Sequence, residues 1–164
     1  MKLYIRQKVF SWRDRFTVWD ESGAERWYAT GEFFSWGRKL HVTDTQGREA
    51  LFIRQKVWSF LPRYFIYTGE QQIATIVKEF TFLRPRYRIE GLNWRIDGTF
   101  WAHDYTITDG DRTVVSIHKR WMTWGDCYEM DITDPADELP ALAAVLTIDC
   151  VLASETAAAA SASN

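Results

Sequence analysis

Apolar and polar side chains alternate at the start of the chain, and this alternation predicts an extended strand with two unlike faces. The aliphatic face comprises Leu3, Ile5, Gln7 and Val9. The opposite, mainly cationic face comprises Lys2, Tyr4, Arg6 and Lys8. The same aliphatic row returns later as Leu51, Ile53, Gln55 and Val57. We therefore expect the aliphatic rows to face a core and the cationic rows to face water.

Whole segments of the chain repeat, and the repeats are rich in β-branched and aromatic residues. Residues 53–60 are identical to residues 5–12 at six of eight positions, and Phe34-Ser35-Trp36 lies midway between these copies. Diverged copies follow at residues 76–82 and 117–124. A repeat of this length suits a unit of two strands and a turn, so the chain is predicted to be a series of hairpins.

The turn signals separate twelve predicted strands. The strands cover Leu3–Phe10, Arg15–Asp20, Arg26–Phe34, Lys39–Asp44, Glu49–Phe60, Arg63–Thr68, Gln71–Phe82, Arg86–Glu90, Trp94–Asp97, Trp101–Thr108, Thr113–Trp121 and Cys127–Ile132. So many antiparallel strands are too many for a flat open sheet in a small domain. Closure into a barrel or a two-sheet sandwich removes the aggregation-prone edges.

One helix is predicted after the strands, from Leu139 to Ala153. Asp137 can cap its start, although Asp134-Pro135 offers an earlier one. The segment is apolar on nearly every side, which predicts burial all round, and its roughly fifteen residues fall short of the ~20 that cross a bilayer. A helix diameter of about 10–12 Å fits the interior of a closed barrel of this strand number.

The sequence therefore predicts a mainly β fold with one domain over residues 1–153. We expect a closed antiparallel β-barrel of about twelve strands, built from repeated hairpins around a central hydrophobic C-terminal α-helix. Residues 154–164 form an Ala/Ser-rich tail, expected to be frayed or to extend the helix.

The motifs of this chain resemble those of the LURP-one-related family over residues 1–153. The resemblance is carried by Ile5-Arg6-Gln7-Lys8-Val9-Phe10-Ser11, Gly31-Glu32-Phe33-Phe34-Ser35, Gly37-Arg38-Lys39-Leu40, Ile53-Arg54-Gln55-Lys56, Phe60-Leu61-Pro62, Thr75-Ile76-Val77-Lys78-Glu79, Glu90-Gly91-Leu92, Ala102-His103-Asp104-Tyr105 and Ile148-Asp149-Cys150. The family is similar to the tubby C-terminal domain, a twelve-stranded barrel around a hydrophobic helix, and more distantly to phospholipid scramblases. Tubby domains bind phosphoinositide head groups, so the resemblance implies the barrel fold and an anionic lipid as a candidate ligand.

Composition and charge narrow the class of protein. Apolar residues make up 46 % of the chain and aromatic residues 16 %, which excludes global disorder. The net charge of −2 lacks the positive excess of a dedicated nucleic-acid-binding protein. The charged start does not resemble a signal peptide, and only Cys127 and Cys150 occur, without a CxxC pair. We expect a cytoplasmic protein with reduced thiols and no transmembrane segment or nucleic-acid partner.

No pattern in the chain predicts catalysis, a metal or a cofactor. His103 and Asp104 are neighbours in a predicted strand, where adjacent side chains point to opposite faces, so they cannot form one catalytic unit. The candidate metal ligands His41, His103, His118, Cys127 and Asp104 show no metal-ligand spacing. Glycine-rich phosphate loops are also absent from the sequence. We therefore expect a protein that is not an enzyme.

Cationic residues recur at equivalent places in the repeated strands and form the candidate anion-binding set. The set comprises Arg6, Lys8, Arg54, Lys56, Lys78 and Lys119, with Arg120 beside them. If those strands are neighbours, the side chains form a basic patch for an anionic head group or another phosphate. Pairing with Asp and Glu of adjacent strands would instead make them an ordinary solvated face, which the slightly negative net charge favours.

Asp149 is the most informative single residue of the predicted helix. A carboxylate midway along a buried helix is costly unless it is hydrogen-bonded. We expect Asp149 to be a structural anchor that sets the rotation and depth of the helix. Its expected partners are Gln7 or Gln55 of the inner rows, or a Tyr, Trp or Arg side chain. The alternative role is an acid at the floor of a pocket.

These observations favour a non-enzymatic binding or scaffold protein. Its expected partner is an anionic lipid head group, a phosphate compound or a protein bound on the outer basic face. Two alternatives are a small-ligand carrier with an open interior and a carbohydrate-binding module that uses the nine Trp side chains as stacking surfaces. The sequence does not determine the oligomeric state.

Overall fold

Twelve strands and one helix make up a closed barrel, seen in a computed structural model that describes residues 1–6, 15–32, 36–79, 86–99, 102–122 and 125–162. The strands are β1 (Lys2–Arg6), β2 (Arg15–Asp20), β3 (Glu25–Gly31), β4 (Lys39–Asp44), β5 (Glu49–Gln55), β6 (Arg63–Thr68), β7 (Gln71–Glu79), β8 (Arg86–Glu90), β9 (Trp94–Thr99), β10 (Asp104–Asp109), β11 (Arg112–Met122) and β12 (Gly125–Ile132). The helix α1 spans Glu138–Ala162. Each strand pairs with its neighbours in the sequence, and β1 closes the ring by pairing antiparallel with β12.

The up-and-down order gives the barrel two distinct ends. We call the end where the odd-numbered strands finish the upper end and the end where the even-numbered strands finish the lower end. Consecutive hairpin connections therefore alternate between the two ends. Because β12 finishes at the lower end, α1 begins there and runs through the barrel toward the upper end.

The helix fills the barrel, and accordingly every residue from 141 to 151 is buried. Around it, the strands contribute the inward-facing half of each alternating pattern, such as Leu3 and Ile5 of β1. An aliphatic and aromatic lining therefore meets a helix that is apolar on every side. Removing both surfaces from water is the main stabilising contribution to the fold.

The lower end holds the start of α1 in place. The side chain of Asp134 accepts a hydrogen bond from the backbone N–H of Ala136 and caps a short 3-10 turn over Pro135–Asp137 that leads into the helix. Glu138, the first residue of α1, accepts hydrogen bonds from the guanidinium of Arg26 and, at 2.7 Å, from Nε1 of Trp27. A carboxylate in the first turn also complements the positive end of the helix dipole.

The predicted twelve-stranded closed barrel with one C-terminal helix is confirmed. Individual boundaries differ: β5 ends at Gln55, not Phe60, and β10 begins at Asp104, not Trp101. Asp134-Pro135 begins the 3-10 turn that precedes α1. The helix itself continues to Ala162, beyond the predicted end at Ala153. Predicted strand residues 7–10, 33–34, 80–82 and 101 lie outside the described residues. Among the described residues, no helix has both the length and the apolar character needed to span a membrane.

Gly98 of β9 generates a prediction about the closeness of neighbouring strands. Its φ is 131°, and a Cβ there would lie 2.6 Å from the carbonyl oxygen of Asp104 and 2.6 Å from Cα of Tyr105. Gly110 also has a positive φ, of 58°, but a Cβ there would meet nothing within 4 Å. We expect Gly98→Ala to lower the free energy of unfolding by about 3 kcal/mol and Gly110→Ala by only about 1 kcal/mol. Urea unfolding measures both, and equal losses would contradict this close approach.

Candidate functional site: the upper rim of the barrel

The fold separates the charges of the chain along the barrel axis. Among the described residues, the lower turns and the strand ends beside them carry mainly acids, namely Asp20, Glu21, Glu25, Asp44, Glu49, Glu70, Glu90, Asp109, Asp111, Asp131, Asp134, Asp137 and Glu138. Four cations at that end, namely Lys2, Arg26, Arg48 and Arg112, are each ion-paired with a carboxylate, whereas Arg95 of β9 is exposed. The described part of the upper end carries mainly cations, namely Arg6, Arg38, Lys39, Arg54, Lys56, Arg63, Lys78, Arg86, Lys119 and Arg120. A net charge of −2 thus conceals one acidic and one basic end.

The basic end also carries exposed apolar side chains. Trp36 and Trp58 are each 84 % exposed, Phe60 is fully exposed and Val57 is 45 % exposed. They lie in the connection from β3 to β4 and in the connection from β5 to β6, both at the upper end. Large apolar side chains left together in water mark a surface that contacts another molecule. We call Trp36, Val57, Trp58 and Phe60 the rim patch.

The two connections that form the rim patch are packed against each other. Gly37 has a φ of 81°, and a Cβ at this position would lie 2.9 Å from Cγ2 of Val57 and 3.1 Å from the carbonyl oxygen of Gln55. The backbone N–H of Gln55 donates to the carbonyl oxygen of Arg38 at 2.7 Å, and the backbone N–H of Arg38 donates to Oε1 of Gln55 at 3.2 Å. Trp36 and Val57 are therefore held on adjoining loops.

Cationic side chains surround the rim patch. Lys39 and Arg54 are cross-strand partners on β4 and β5, and Lys56 donates its backbone N–H to the carbonyl oxygen of Arg63 at 2.8 Å. The Arg54 guanidinium lies 5.6 Å from the ring centroid of Tyr67, whose hydroxyl it contacts at 3.1 Å. Lys39 is paired with Glu32 at 2.9 Å, which leaves Arg54, Lys56 and Arg63 as the cations nearest the patch without a carboxylate partner among the ion pairs of the described residues.

The structure does not bring the candidate anion-binding residues into one outer row. Arg6 ends β1 and Arg54 lies on β5, with three strands between them. The side chain of Lys78 is half-buried and continues the inward-facing row of Ile76, and Lys119 continues the inward-facing row of Ile117.

Burial lowers the pKa of Lys78. Arg120 contacts the buried carboxylate of Glu129 at 3.4 Å. This is the pairing with an acid of an adjacent strand that the alternative interpretation of the cationic rows predicted. Lys8 and Gln7 lie outside the described residues. The set is therefore divided between the rim, the outer wall and the inner face, and only Arg54 and Lys56 of it adjoin the rim patch.

Asp149 lies inside the barrel near its upper end and is only 3 % exposed. Its Oδ2 accepts a short hydrogen bond from the hydroxyl of Tyr128, and its Oδ1 lies 3.5 Å from Nδ1 of His103. The rings of His103 and Tyr128 are stacked, with centroids 4.7 Å apart. Burial raises the pKa of Asp149 to about 7, although the hydrogen bond from Tyr128 acts in the opposite direction. Of the expected partners, a Tyr is the one observed.

His103 differs from its expected place in a strand. It precedes β10 with a φ of 49°, a left-handed conformation that side chains other than glycine rarely adopt. Its neighbour Asp104 contacts Nδ1 of His118 at 2.9 Å instead, on the outside of the barrel. Burial, assisted by the charge of Lys119, lowers the pKa of His103. The two neighbours therefore belong to different clusters, but the reason is the turn and not strand alternation.

The structure also bears on the expected partner role of Gln55, on the carrier alternative and on the candidate metal ligands. Gln55 is half-buried and bonds Arg38 of the rim, not Asp149. The space in which a carrier would hold its ligand is occupied by α1. Within the described ranges, no three His, Cys, Asp or Glu side chains are grouped so that they could hold a metal ion. Sequence reasoning missed the rim patch, for which the repeated aromatic segments at residues 53–60 and 34–36 were the available signal.

Comparisons with known proteins match this architecture. The family model described as LURP-one-related matches residues 1–149. The uncharacterized protein YxjI of Bacillus subtilis (strain 168) is 37 % identical over 152 residues, which cover 93 % of this chain and 94 % of that protein. A protein of Arabidopsis thaliana known from its X-ray structure superposes with a TM-score of 0.59 at 12 % identity, covering 90 % of each chain. This structural likeness concerns the fold alone.

Asp149 provides a stability prediction. Replacing it with Ala leaves the buried hydroxyl of Tyr128 without its acceptor, so we expect Asp149→Ala to lower the free energy of unfolding by about 1–3 kcal/mol. Asp111→Ala, in an exposed lower turn, should change it by less than about 0.5 kcal/mol. Chemical denaturation at pH 4, where folded Asp149 keeps its proton, measures both, and an Asp149→Ala protein as stable as the parent at this pH would exclude the anchor role.

The raised pKa of Asp149 predicts a pH dependence of stability. The folded protein retains the Asp149 proton up to about pH 7, whereas the unfolded chain releases it near the ordinary carboxyl pKa of 3.8. The stabilising effect of the proton is therefore complete below pH 3.8 and is lost as the pH rises toward 7, by about 1 kcal/mol per pH unit. Asp149→Asn cannot titrate, so the stability difference between parent and variant should follow this slope between pH 4 and 7. A difference that does not vary with pH would contradict a buried, protonated Asp149.

Proposed function

Because the chain belongs to the LURP-one-related family, whose barrel here carries a basic, aromatic upper end, we propose that it is a non-enzymatic binding protein that docks on an anionic phospholipid surface. The rim patch, with Arg54, Lys56 and Arg63 around it, is the docking surface. The observation that carries the proposal is the exposure of Trp36, Trp58 and Phe60 at the cationic end of the barrel.

Two contributions favour a membrane surface as the partner. Trp side chains are enriched at the level of lipid head groups, because one part of the indole is apolar and its N–H is polar. Each Lys or Arg near an anionic membrane surface adds about 1 kcal/mol of attraction. A protein that presents both kinds of side chain on one end can bind peripherally without any spanning segment.

The acidic lower end gives the docking a direction. Carboxylates such as Asp44, Asp111 and Asp134 would be repelled by an anionic surface, whereas the upper end would be attracted to it. The barrel should therefore approach the lipid end-on. This charge arrangement argues against the outer wall as the binding face, where Arg88 and Arg120 already contact carboxylates.

The function is tested by co-sedimentation with vesicles of phosphatidylcholine that contain phosphatidylglycerol. We expect binding at low salt that weakens as salt is added, because the attraction is screened. Lys56→Glu should weaken binding by about tenfold or more, because two units of charge change beside the membrane. Arg95→Glu makes the same charge change on an exposed site of β9, away from the rim patch, and should have a much smaller effect.

The aromatic contribution requires its own variants. Trp58→Ala and Trp36→Ala leave the charge unchanged, and each should weaken vesicle binding severalfold by removing apolar contact with the head-group region. Equal effects of Lys56→Glu and Arg95→Glu would contradict the rim as the docking surface. Absence of binding to any anionic vesicle at low salt would overturn the lipid proposal and leave a soluble phosphate compound or a protein as the partner.

A further inference from the structure

The side chain of Arg38 connects the rim patch to the interior helix. Nη1 of Arg38 donates a hydrogen bond to the backbone carbonyl oxygen of Cys150 in α1, at 3.1 Å. A carbonyl oxygen has two lone pairs, so it can accept this bond in addition to the one made within the helix. Arg38 lies two residues after Trp36 and belongs to the same connection of the rim.

The main chain of Arg38 is tied to the other half of the rim patch. It exchanges hydrogen bonds with Gln55, and the adjacent Gly37 packs against the side chain of Val57 without room for a Cβ. A shift of Arg38 must therefore alter the contact between the loop of Trp36 and the loop of Trp58. Through its side chain, the same residue is hydrogen-bonded to α1.

The segment of α1 that Arg38 holds is next to the buried Asp149 cluster. The titratable and charged groups around Asp149 are Tyr128 from β12, His103 before β10, Tyr105 from β10, Tyr87 from β8 and Cys150 from α1, with Lys119 of β11 beside His103 and Arg38 beside Cys150. If the carboxyl group of Asp149 loses its proton in this interior, no water hydrates the resulting charge. We therefore expect its ionisation to shift the position of the helix.

We propose that Arg38 is a positioning residue for the rim patch, which ties the loop of Trp36 to α1 and so transmits changes around Asp149 to the docking surface. This inference rests on the proposed function of the rim, but the linkage itself can be measured without any lipid. Its consequence is that a buried group, out of reach of the membrane, sets how well the surface binds. A pKa of Asp149 near 7 would place the change in the neutral pH range.

Hydrogen exchange in the free protein tests the linkage. We expect Arg38→Ala to lower the exchange protection of the hydrogen-bonded amide of Gln55, and that of Lys56 beside it, by about tenfold, which corresponds to the loss of one charge-assisted hydrogen bond. Lys39→Ala is the matched control, because it removes the neighbouring cation, whose side chain binds Glu32 and not α1. Amides of the lower turns should not change in either variant. Unchanged protection of the rim amides in Arg38→Ala, or equal losses in Lys39→Ala, would overturn the proposal.

The pH dependence distinguishes transmission from a purely local role of Arg38. Rim protection in the parent, corrected for intrinsic exchange, should fall severalfold from pH 6 to pH 8, whereas Asp149→Asn should show no such change. Binding to phosphatidylglycerol vesicles, whose head group does not titrate in this range, should follow the same two profiles. A parent protein with pH-independent rim protection would refute the coupling even if Asp149→Asn did not fold. Vesicle binding that fails in every variant, with the exchange results as expected, would refute the proposed lipid partner alone.

Discussion

The burial of α1 inside a closed ring of strands is the constraint on which the rest of the structure depends. A helix that is apolar on every side requires apolar contact on every side, and a barrel of twelve strands provides it. In the part of the chain that the structure describes, the helix occupies the space that a carrier would keep open for its ligand. The surfaces that remain for another molecule are the outer wall and the two ends.

The same topology separates the acidic and basic side chains of the chain to opposite ends of the barrel. Hairpin connections alternate between the ends, so residues that follow odd-numbered strands collect at one end and residues that follow even-numbered strands collect at the other. The repeats place cations and aromatic residues after odd-numbered strands, as at Lys56 and Trp58, whereas Asp and Glu occupy the tight turns after even-numbered strands. A basic, aromatic end therefore arises from sequence periodicity combined with chain direction, and no single motif encodes it.

Most of the architecture could be predicted from the sequence, because alternation, repeat length and an all-apolar helix are local signals. The end of β5 could not, since Val57, Trp58 and Phe60 continue an apolar and aromatic pattern that is typical of a strand. Their exposure depends on where the neighbouring strands stop, which is a tertiary property. For the same reason Lys78 and Lys119 were expected on an outer row, although the register of β7 and β11 directs them inward.

The interior site shows a similar division. A carboxylate in an apolar helix indicated that Asp149 needs a partner, and a Tyr was among the candidates. No sequence pattern selects Tyr128 or His103, because both reach Asp149 from strands or turns distant in the chain. The bond from Arg38 to the carbonyl of Cys150 was equally inaccessible, since a backbone acceptor leaves no trace in the identity of the residue that carries it.

The end-on orientation of the barrel is the central claim about function, and a nitroxide-labelled lipid tests it most directly. In anionic nanodiscs that carry the label at the head group, NMR signals of amides in residues 36–38 and 56–61 should broaden strongly, whereas those in the lower turns at residues 21–24, 45–48 and 110–111 should not. Broadening of the lower turns, or even broadening along the outer wall, would contradict a rim that docks on the membrane.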